Sequence, residues 1–95
     1  MEDERDVEAY LRRRVEGLGG MALKFTSPGN DGVPDRVIIM PGGLVSFVET
    51  KTKGGRLSPI QKWQHDRMQR RGCSVRTIWT KAQVDEWLGG VADGV

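Results

Sequence analysis

The chain has 95 residues, of which 37% are hydrophobic and 29% charged, and its formal net charge is +2. This balance is typical of one soluble globular domain over residues 1–95, and it excludes a disordered chain. No apolar run approaches the roughly 20 residues that cross a bilayer, the acidic N-terminus is unlike a secretory signal, and one cysteine excludes an internal disulfide or a thiolate zinc cage. We therefore expect a cytoplasmic protein without membrane association.

The first predicted element is an amphipathic helix over residues 4–18, because apolar residues recur there at intervals of three and four. Glu4 and Glu8 lie on or beside its apolar face, and acids near a helix N-terminus also stabilise the helix dipole. Composition predicts a short strand over residues 21–26. The Pro- and Gly-rich residues 27–32 then form a loop that leads into the next strand.

The centre of the chain is a predicted hairpin of two apolar strands joined by the turn Pro41-Gly42-Gly43. Pro41 suits the first central position of a type I turn, and Gly43 can take the left-handed conformation that closes a three-residue loop. Such a loop makes Met40 and Leu44 the closing pair. Because both strands are apolar on both faces, we expect them to be buried in the middle of a layered α/β sheet.

This register places Asp35 opposite Glu49, with Lys51 leaving the same side of the sheet two residues later. A two-residue loop would instead place Asp35 on the face opposite Glu49. Two adjacent carboxylates repel unless a cation lies between them, and Mg²⁺ prefers such oxygen ligands. A structural ion pair with Lys51 is the alternative, but it would leave one acid unbalanced.

A second helix is predicted from Ser58, a suitable N-cap, to about Arg71. Gln61 has the position of the capping-box partner, which is a complete structural explanation for it. The apolar stripe of this helix includes Trp63, which we expect to be buried in the core rather than stacked on a nucleic-acid base. His65 has no histidine or cysteine nearby, so a metal-binding role is not expected.

The remaining elements are a strand over residues 73–79, parallel to the preceding strand through a right-handed crossover, and a last helix opened by a capping box at residues 80–83. The tail over residues 89–95 is expected to be frayed. Seven basic residues and one acid lie between Lys51 and Arg71, which suits either a phosphate backbone or a solvated helix face.

Pro34-Asp35 followed by Glu49-Thr50-Lys51 resembles the PD-(D/E)xK nuclease signature. The wider pattern resembles the VRR-NUC (virus-type replication-repair nuclease) branch of that superfamily. The matching segments are residues 32–36 (GVPDR), 42–43 (GG), 47–51 (FVETK) and 57–61 (LSPIQ). The resemblance implies an α/β fold with a restriction-endonuclease-like core, in the order α-β-β-β-α-β-α, with helices flanking a central mixed sheet.

The resemblance also implies roles for particular residues. Asp35 and Glu49 would bind Mg²⁺ or Mn²⁺ together with the backbone carbonyl of Thr50. Lys51 would position or activate the attacking water, and Gln61 would support it. Thr50 replaces a more frequent small or aliphatic residue of the motif, which alters no ligand side chain.

In the family an acid from the first helix completes the metal site; the pattern points to Glu8, while Glu4 remains possible. The candidates for contact with DNA are Lys53, Arg56, Arg36 and Lys24.

The function expected from this resemblance is divalent-metal-dependent, structure-selective cleavage of DNA, such as four-way junctions or flaps, by a homodimer in a bacterial or phage-infected cell. One alternative is a DNA-binding module that has the fold without the activity. Another is a subunit-interaction domain that uses Trp79 and Trp87. Binding and cleavage of branched and linear DNA, with Mg²⁺ or with chelator, separates the three.

Overall fold

The computed structural model describes residues 2–92, which form helices and strands in the predicted order α-β-β-β-α-β-α. Their bounds are α1 Glu4–Gly17, β1 Met21–Lys24, β2 Arg36–Met40, β3 Leu44–Thr50, α2 Pro59–Arg70, β4 Ser74–Ile78 and α3 Lys81–Ala92. Of the tail predicted over residues 89–95, the described part, Gly89 to Ala92, is helical and belongs to α3, and residues 93–95 lie outside the described part. Among the described helices, each is too short or too polar to cross a lipid bilayer.

The four strands form one mixed sheet in the order β1-β2-β3-β4. The first three strands are antiparallel neighbours, and β4 runs parallel to β3 after the α2 crossover. Both later helices begin with the predicted capping boxes. In α2 the Ser58 hydroxyl accepts from the Gln61 N–H and the Gln61 side chain accepts from the Ser58 N–H, and Thr80 and Gln83 form the same pair in α3.

The hairpin has the predicted register. Met40 pairs with Leu44 and Arg36 pairs with Val48, so Asp35, just before β2, comes opposite Glu49. The turn itself differs from the prediction: Gly42 and Gly43 have φ angles of +90° and +79°. A positive φ at the second central position belongs to a type II turn rather than type I, and glycine adopts it without steric cost.

One face of the sheet carries the hydrophobic core. Ile38 and Val48 are fully buried on this face, where α1 and α3 pack against it and against each other. Apolar residues of α1 and α3 cover this face of the sheet. The buried members are Val7, Leu11, Val15, Ile38, Met40, Val48, Ile78, Val84, Trp87 and Leu88.

The opposite face is less covered, and here the expectation of burial on both sides is wrong. Met21 and Val45 lie in the same row of this face, and their exposed fractions are 51% and 49%. On α2 it is Gln64 and His65 that are buried, while Trp63, predicted to be in the core, is 54% exposed. The apolar periodicity of α2 predicted the wrong buried face, because this helix points polar side chains inward, toward the end of β3.

Candidate active site

Three carboxylates converge at one end of the sheet. Glu4 comes from the first turn of α1, Asp35 immediately precedes β2, and Glu49 is near the end of β3. One oxygen from each lies within 4.8 Å of the other two. Glu49 is only 2% exposed, so its charge has little access to water. The hairpin register thus brings together the two acids predicted from the sequence, and α1 adds a third.

Asp35 is fixed by the strands on either side of it. Its backbone carbonyl accepts a hydrogen bond of 2.8 Å from the N–H of Phe25, at the end of β1. Its Oδ2 accepts from the backbone N–H of Thr50 at 3.3 Å and from the Thr50 hydroxyl at 3.5 Å. Thr50 therefore uses its N–H and side chain to hold a neighbouring carboxylate.

The electrostatics of the cluster favour a bound cation. Burial raises the pKa of Glu49 from 4.5 to about 8, and its hydrogen bond with Asp35 and the nearby negative charge of Asp35 act in the same direction. Lys51 opposes this shift. The buried Oε1 of Glu49 has no hydrogen-bond partner among the described residues. Since oxygen ligands are what hard divalent ions bind, the residues present fit Mg²⁺ or Mn²⁺.

Lys51 lies beside the cluster on the predicted side. Its Nζ is 3.9 Å from Glu49 Oε2, and its side chain is 22% exposed. Its backbone N–H donates to the carbonyl of Ile78, which anchors the residue to β4 just after β3 ends. The ammonium group is thus positioned at the boundary between the buried acids and solvent.

Of the two candidate acids on α1, Glu4 and not Glu8 joins the cluster. Glu8 forms a salt bridge with Arg36, the residue that follows Asp35. The preference for Glu8 as a ligand is therefore replaced by Glu4. The two residues are one helical turn apart. Which of them reaches the cluster therefore depends on how far the N-terminus of α1 extends past the end of the sheet.

A cleft of about 370 Å³ adjoins the acids and includes Glu4 and Asp35 in its wall. Its other charged residues are Arg5, Glu8, Lys24 and Arg36, so the wall carries three acids and three bases, and the three bases are the groups that can contact an anionic ligand. A larger cavity of about 630 Å³ lies between α3 and strands β3 and β4, but none of the three clustered carboxylates lines it.

The basic loop after Lys51 is held against the domain. Its candidate DNA-contacting residues, Lys53 and Arg56, are both exposed. The indole N–H of Trp79 donates to the carbonyl of Gly55 at 2.7 Å, and Trp87 is 8% exposed in the core. Both tryptophans therefore have partners within the chain, which accounts for them without a subunit interface.

Gln61 lies at the start of α2 and its side-chain oxygen accepts from the N–H of Ser58 at 2.9 Å. This bond is the predicted capping role. The neighbouring turn of α2 contacts the loop before Asp35, because a Cβ placed on Gly32 would lie 2.6 Å from the carbonyl oxygen of Ile60. Gln61 is therefore close to the loop that carries Asp35 as well as being a capping residue.

Sequence reasoning missed His65. Its Nε2 is 3.9 Å from Glu49 Oε1, and both side chains are at most 5% exposed. Burial lowers the pKa of His65, and a hydrogen bond to the backbone of Gly32 partly offsets this. A lone histidine in a predicted helix carries no recognisable signal; only the path of α2 over the end of β3 reveals it.

Comparison with known proteins identifies the family of this fold. The family model of the VRR-NUC domain matches residues 2–81. A relative named "Putative nuclease p44", from Acyrthosiphon pisum secondary endosymbiont phage 1, is 43% identical over 65 residues, which are 68% of this chain and 70% of that protein. A solved structure of a VRR_NUC domain is 34% identical, with a TM-score of 0.85, over 90% of this chain and 94% of that one. The chain belongs to the VRR-NUC family of nuclease domains.

Proposed function

We propose that this protein is an endonuclease that depends on Mg²⁺ or Mn²⁺ and hydrolyses phosphodiester bonds in branched DNA, such as four-way junctions or flaps. The observation that carries the proposal is the group of three carboxylate oxygens within 4.8 Å of one another, with Lys51 beside them. The phage origin of the relative described above supports action in a phage-infected bacterial cell.

Asp35, Glu49 and Glu4 are the side chains that would hold the cation, together with the backbone carbonyl of Thr50. The unpartnered Oε1 of buried Glu49 supports this assignment, since buried polar atoms without a partner are uncommon in proteins. When bound, the ion would polarise the scissile phosphate and lower the pKa of the attacking water. Glu8 is left out of this set because it does not belong to the group of three carboxylates and faces Arg36 instead.

Lys51 is the residue that would position the attacking water and stabilise charge that develops on the phosphate. Its ammonium group carries three hydrogen-bond donors and no acceptor, so it can contact a water and a phosphate oxygen together. Gln61 would support Lys51 or the water through its amide nitrogen, because its oxygen already accepts from Ser58. The hydrolysis joins the water oxygen to phosphorus and releases the sugar oxygen.

The DNA strand is proposed to enter by the cleft beside Asp35. Lys24 and Arg36 line this cleft, and Lys53 and Arg56 extend from the loop after Lys51. Contacts of this kind with phosphates make affinity fall steeply as salt rises. Arg36 would have to exchange its partner Glu8 for a phosphate oxygen.

We further propose that two copies associate through the open face of the sheet. The register places Met21, Ile39 and Val45 in one row of this face and Leu23, Val37 and Phe47 in the next. Exposed fractions of 51% for Met21, 43% for Leu23 and 49% for Val45 leave an apolar surface that a second copy would cover. The row beyond contains Asp35 and Glu49, so this contact would lie beside both active sites. A two-fold pair of sites matches the two-fold symmetry of a four-way junction.

The proposed association is tested by Val45→Lys, which introduces a charge on the open face and should give a monomer in analytical ultracentrifugation. Leu44→Lys is the matched control, because Leu44 is the neighbouring residue, is 50% exposed and points to the other face. A monomeric wild-type protein, or equal effects of the two substitutions, would contradict this interface.

The catalytic proposal is tested with labelled four-way junction, flap and linear duplex DNA, each with Mg²⁺, Mn²⁺ or chelator. We expect cleavage of the branched substrates only with metal. Lys51→Ala should lower the cleavage rate by about 10²–10⁴-fold. Lys62→Ala is the control, because it removes the same charge from an exposed position of the same basic segment.

Undiminished cleavage by both Lys51→Ala and Asp35→Ala proteins would overturn the catalytic proposal. Salt-dependent binding of junction DNA without any metal-dependent cleavage would instead favour a DNA-binding module that lacks the activity. Equal cleavage of linear and branched DNA would support the nuclease activity and contradict the proposed preference for branched DNA.

A further inference from the structure

A buried contact next to the carboxylates has no role in the function proposed above. His65 and Glu49 are 4% and 2% exposed, and their atoms Nε2 and Oε1 face each other at 3.9 Å. Neither atom has a hydrogen-bond partner among the described residues. Leaving a buried polar atom unpaired lowers stability, so an apolar residue would fill the space at lower cost.

The same histidine is connected to the loop that precedes Asp35. Because Nε2 has no partner, the hydrogen bond between His65 and the backbone of Gly32 engages Nδ1. This bond raises the pKa of His65, so Nδ1–H is the donor and the Gly32 carbonyl accepts. The adjacent Gln64 donates from its side-chain amide to the carbonyl of Asp31 at 3.4 Å. Two consecutive residues of α2 thus contact two consecutive residues of the loop.

The loop and α2 approach each other as closely as backbones allow at this point. Gly32 has a φ of +90°, and a Cβ there would lie 2.6 Å from the carbonyl oxygen of Ile60. Only two residues, Val33 and Pro34, separate Gly32 from Asp35, and Pro34 is buried. A change in the contact between α2 and Gly32 would therefore reach Asp35 through a short and restricted segment.

We propose that His65 is a positioning residue, whose Nδ1–H holds the loop before Asp35 while its ring packs against the Glu49 carboxylate at 3.9 Å, so that the two carboxylates keep the spacing a divalent cation requires. This inference rests on the proposed metal-dependent function. His65 binds no cation and touches no substrate in this role; it acts through the two acids. Partners of metal ligands of this kind affect affinity by about 10–100-fold when they are removed.

The test compares His65→Leu with His65→Gln by calorimetric titration of Mn²⁺ into the protein without DNA. We expect His65→Leu, which fills the volume without a polar atom, to raise the Kd for Mn²⁺ by about 10–100-fold. His65→Gln should recover part of this loss, because its amide can still donate to the carbonyl of Gly32. Asp66→Ala, an exposed neighbour on α2, is the control and should bind Mn²⁺ as wild type does.

Thermal unfolding without metal shows whether each variant is folded. If His65→Leu is not folded, the Kd of His65→Gln is compared with that of wild type instead. A wild-type Kd in the folded variants would overturn the inference, as would an equal loss in both without any recovery by glutamine. If the wild-type protein neither binds Mn²⁺ nor cleaves DNA, the proposed function fails and this inference falls with it. A normal wild-type response with unaffected His65 variants refutes the inference alone.

Discussion

The two faces of the sheet are built from similar strand sequences but differ in what they bury. On the α1 and α3 face, Ile38 and Val48 are fully buried among aliphatic side chains. On the α2 face, the buried residues near the end of β3 include Glu49 and His65, while Val45 at the other end of the same strand is half exposed.

This difference separates stability from function within one sheet. Burial of aliphatic side chains on the first face supplies the hydrophobic stabilisation of the domain. The second face contains an acid whose pKa is raised by burial, which is an arrangement that costs stability and is characteristic of functional sites. A side chain on the second face should therefore matter less for folding than its neighbour on the first.

The largest expected effect compares adjacent residues that point to opposite faces. Ile38→Ala should lower the free energy of unfolding by about 2–5 kcal/mol, because Ile38 is fully buried. Ile39→Ala, on the half-covered face, should lower it by less than half as much. Urea unfolding in a Val45→Lys background, where the second copy is absent, measures both. Equal losses would refute the distinction between the faces.

The raised pKa of Glu49 predicts how stability without metal depends on pH. Between the unfolded value of 4.5 and the folded value of about 8, the native protein binds more protons than the unfolded chain. The contribution of Glu49 is therefore fully present below about pH 4.5 and is lost as the pH rises toward 8.

Glu49→Gln cannot titrate, so its Tm relative to wild type should increase across this window when metal is chelated. A difference of 1 kcal/mol corresponds to about 4–8 °C for a domain of this size. His65 is present in both proteins, so its own titration largely cancels in the difference. Added Mn²⁺ should raise the Tm of wild type at high pH and leave that of Glu49→Gln nearly unchanged. A difference in Tm that does not vary with pH would contradict the raised pKa.

A third comparison separates Glu4 from Glu8, the two acids of α1 that were candidates for the metal site. Glu4→Gln should weaken Mn²⁺ binding by about tenfold, or 1.4 kcal/mol, because Glu4 belongs to the carboxylate cluster. Glu8→Gln removes the same charge one turn later but only releases Arg36, and it should leave the Kd for Mn²⁺ unchanged. The opposite ranking in a calorimetric titration would restore Glu8 as the ligand.

The smallest expected effect concerns Gln61, where it distinguishes a capping role from a role in catalysis. Gln61 and Gln83 have the same position in two capping boxes, and replacing either by alanine should cost about 0.3–1.5 kcal/mol of stability. Only Gln61→Ala should also slow cleavage of DNA under conditions where both variants are fully folded. If the two variants cleave at the same rate, capping is the whole role of Gln61.

The sequence was sufficient for features that depend on local chemistry. The Pro-Gly-Gly turn favours a three-residue hairpin loop, so the pairing of Met40 with Leu44 and the approach of Asp35 to Glu49 could be predicted. Capping boxes combine fixed residue types at a fixed spacing, and both were found at Ser58 and Thr80. The alternation of helical and strand patterns gave the element order.

Features that depend on the relative placement of elements could not be predicted. The choice between Glu4 and Glu8 requires the offset of α1 along the sheet, and periodicity does not contain it. The exposure of Trp63 and the burial of His65 require the rotation of α2 about its axis, and the apolar stripe suggested the opposite rotation. In α2 the inward face is selected by polar contacts with the site rather than by hydrophobic burial.

The turn at residues 41–43 has a consequence for how this domain tolerates insertions and deletions. Because Met40 pairs with Leu44, residue numbers of partners across the hairpin add to a constant, and a slip by one residue would bring Asp35 opposite Thr50. The aspartate would then project from the wrong side of the strand pair. The length of this exposed turn is therefore fixed by the carboxylates at the other end of the hairpin, which the turn does not contact. A change of length in the loop before Asp35 would leave the pairing of the two strands, and so the face on which Asp35 lies, unaltered.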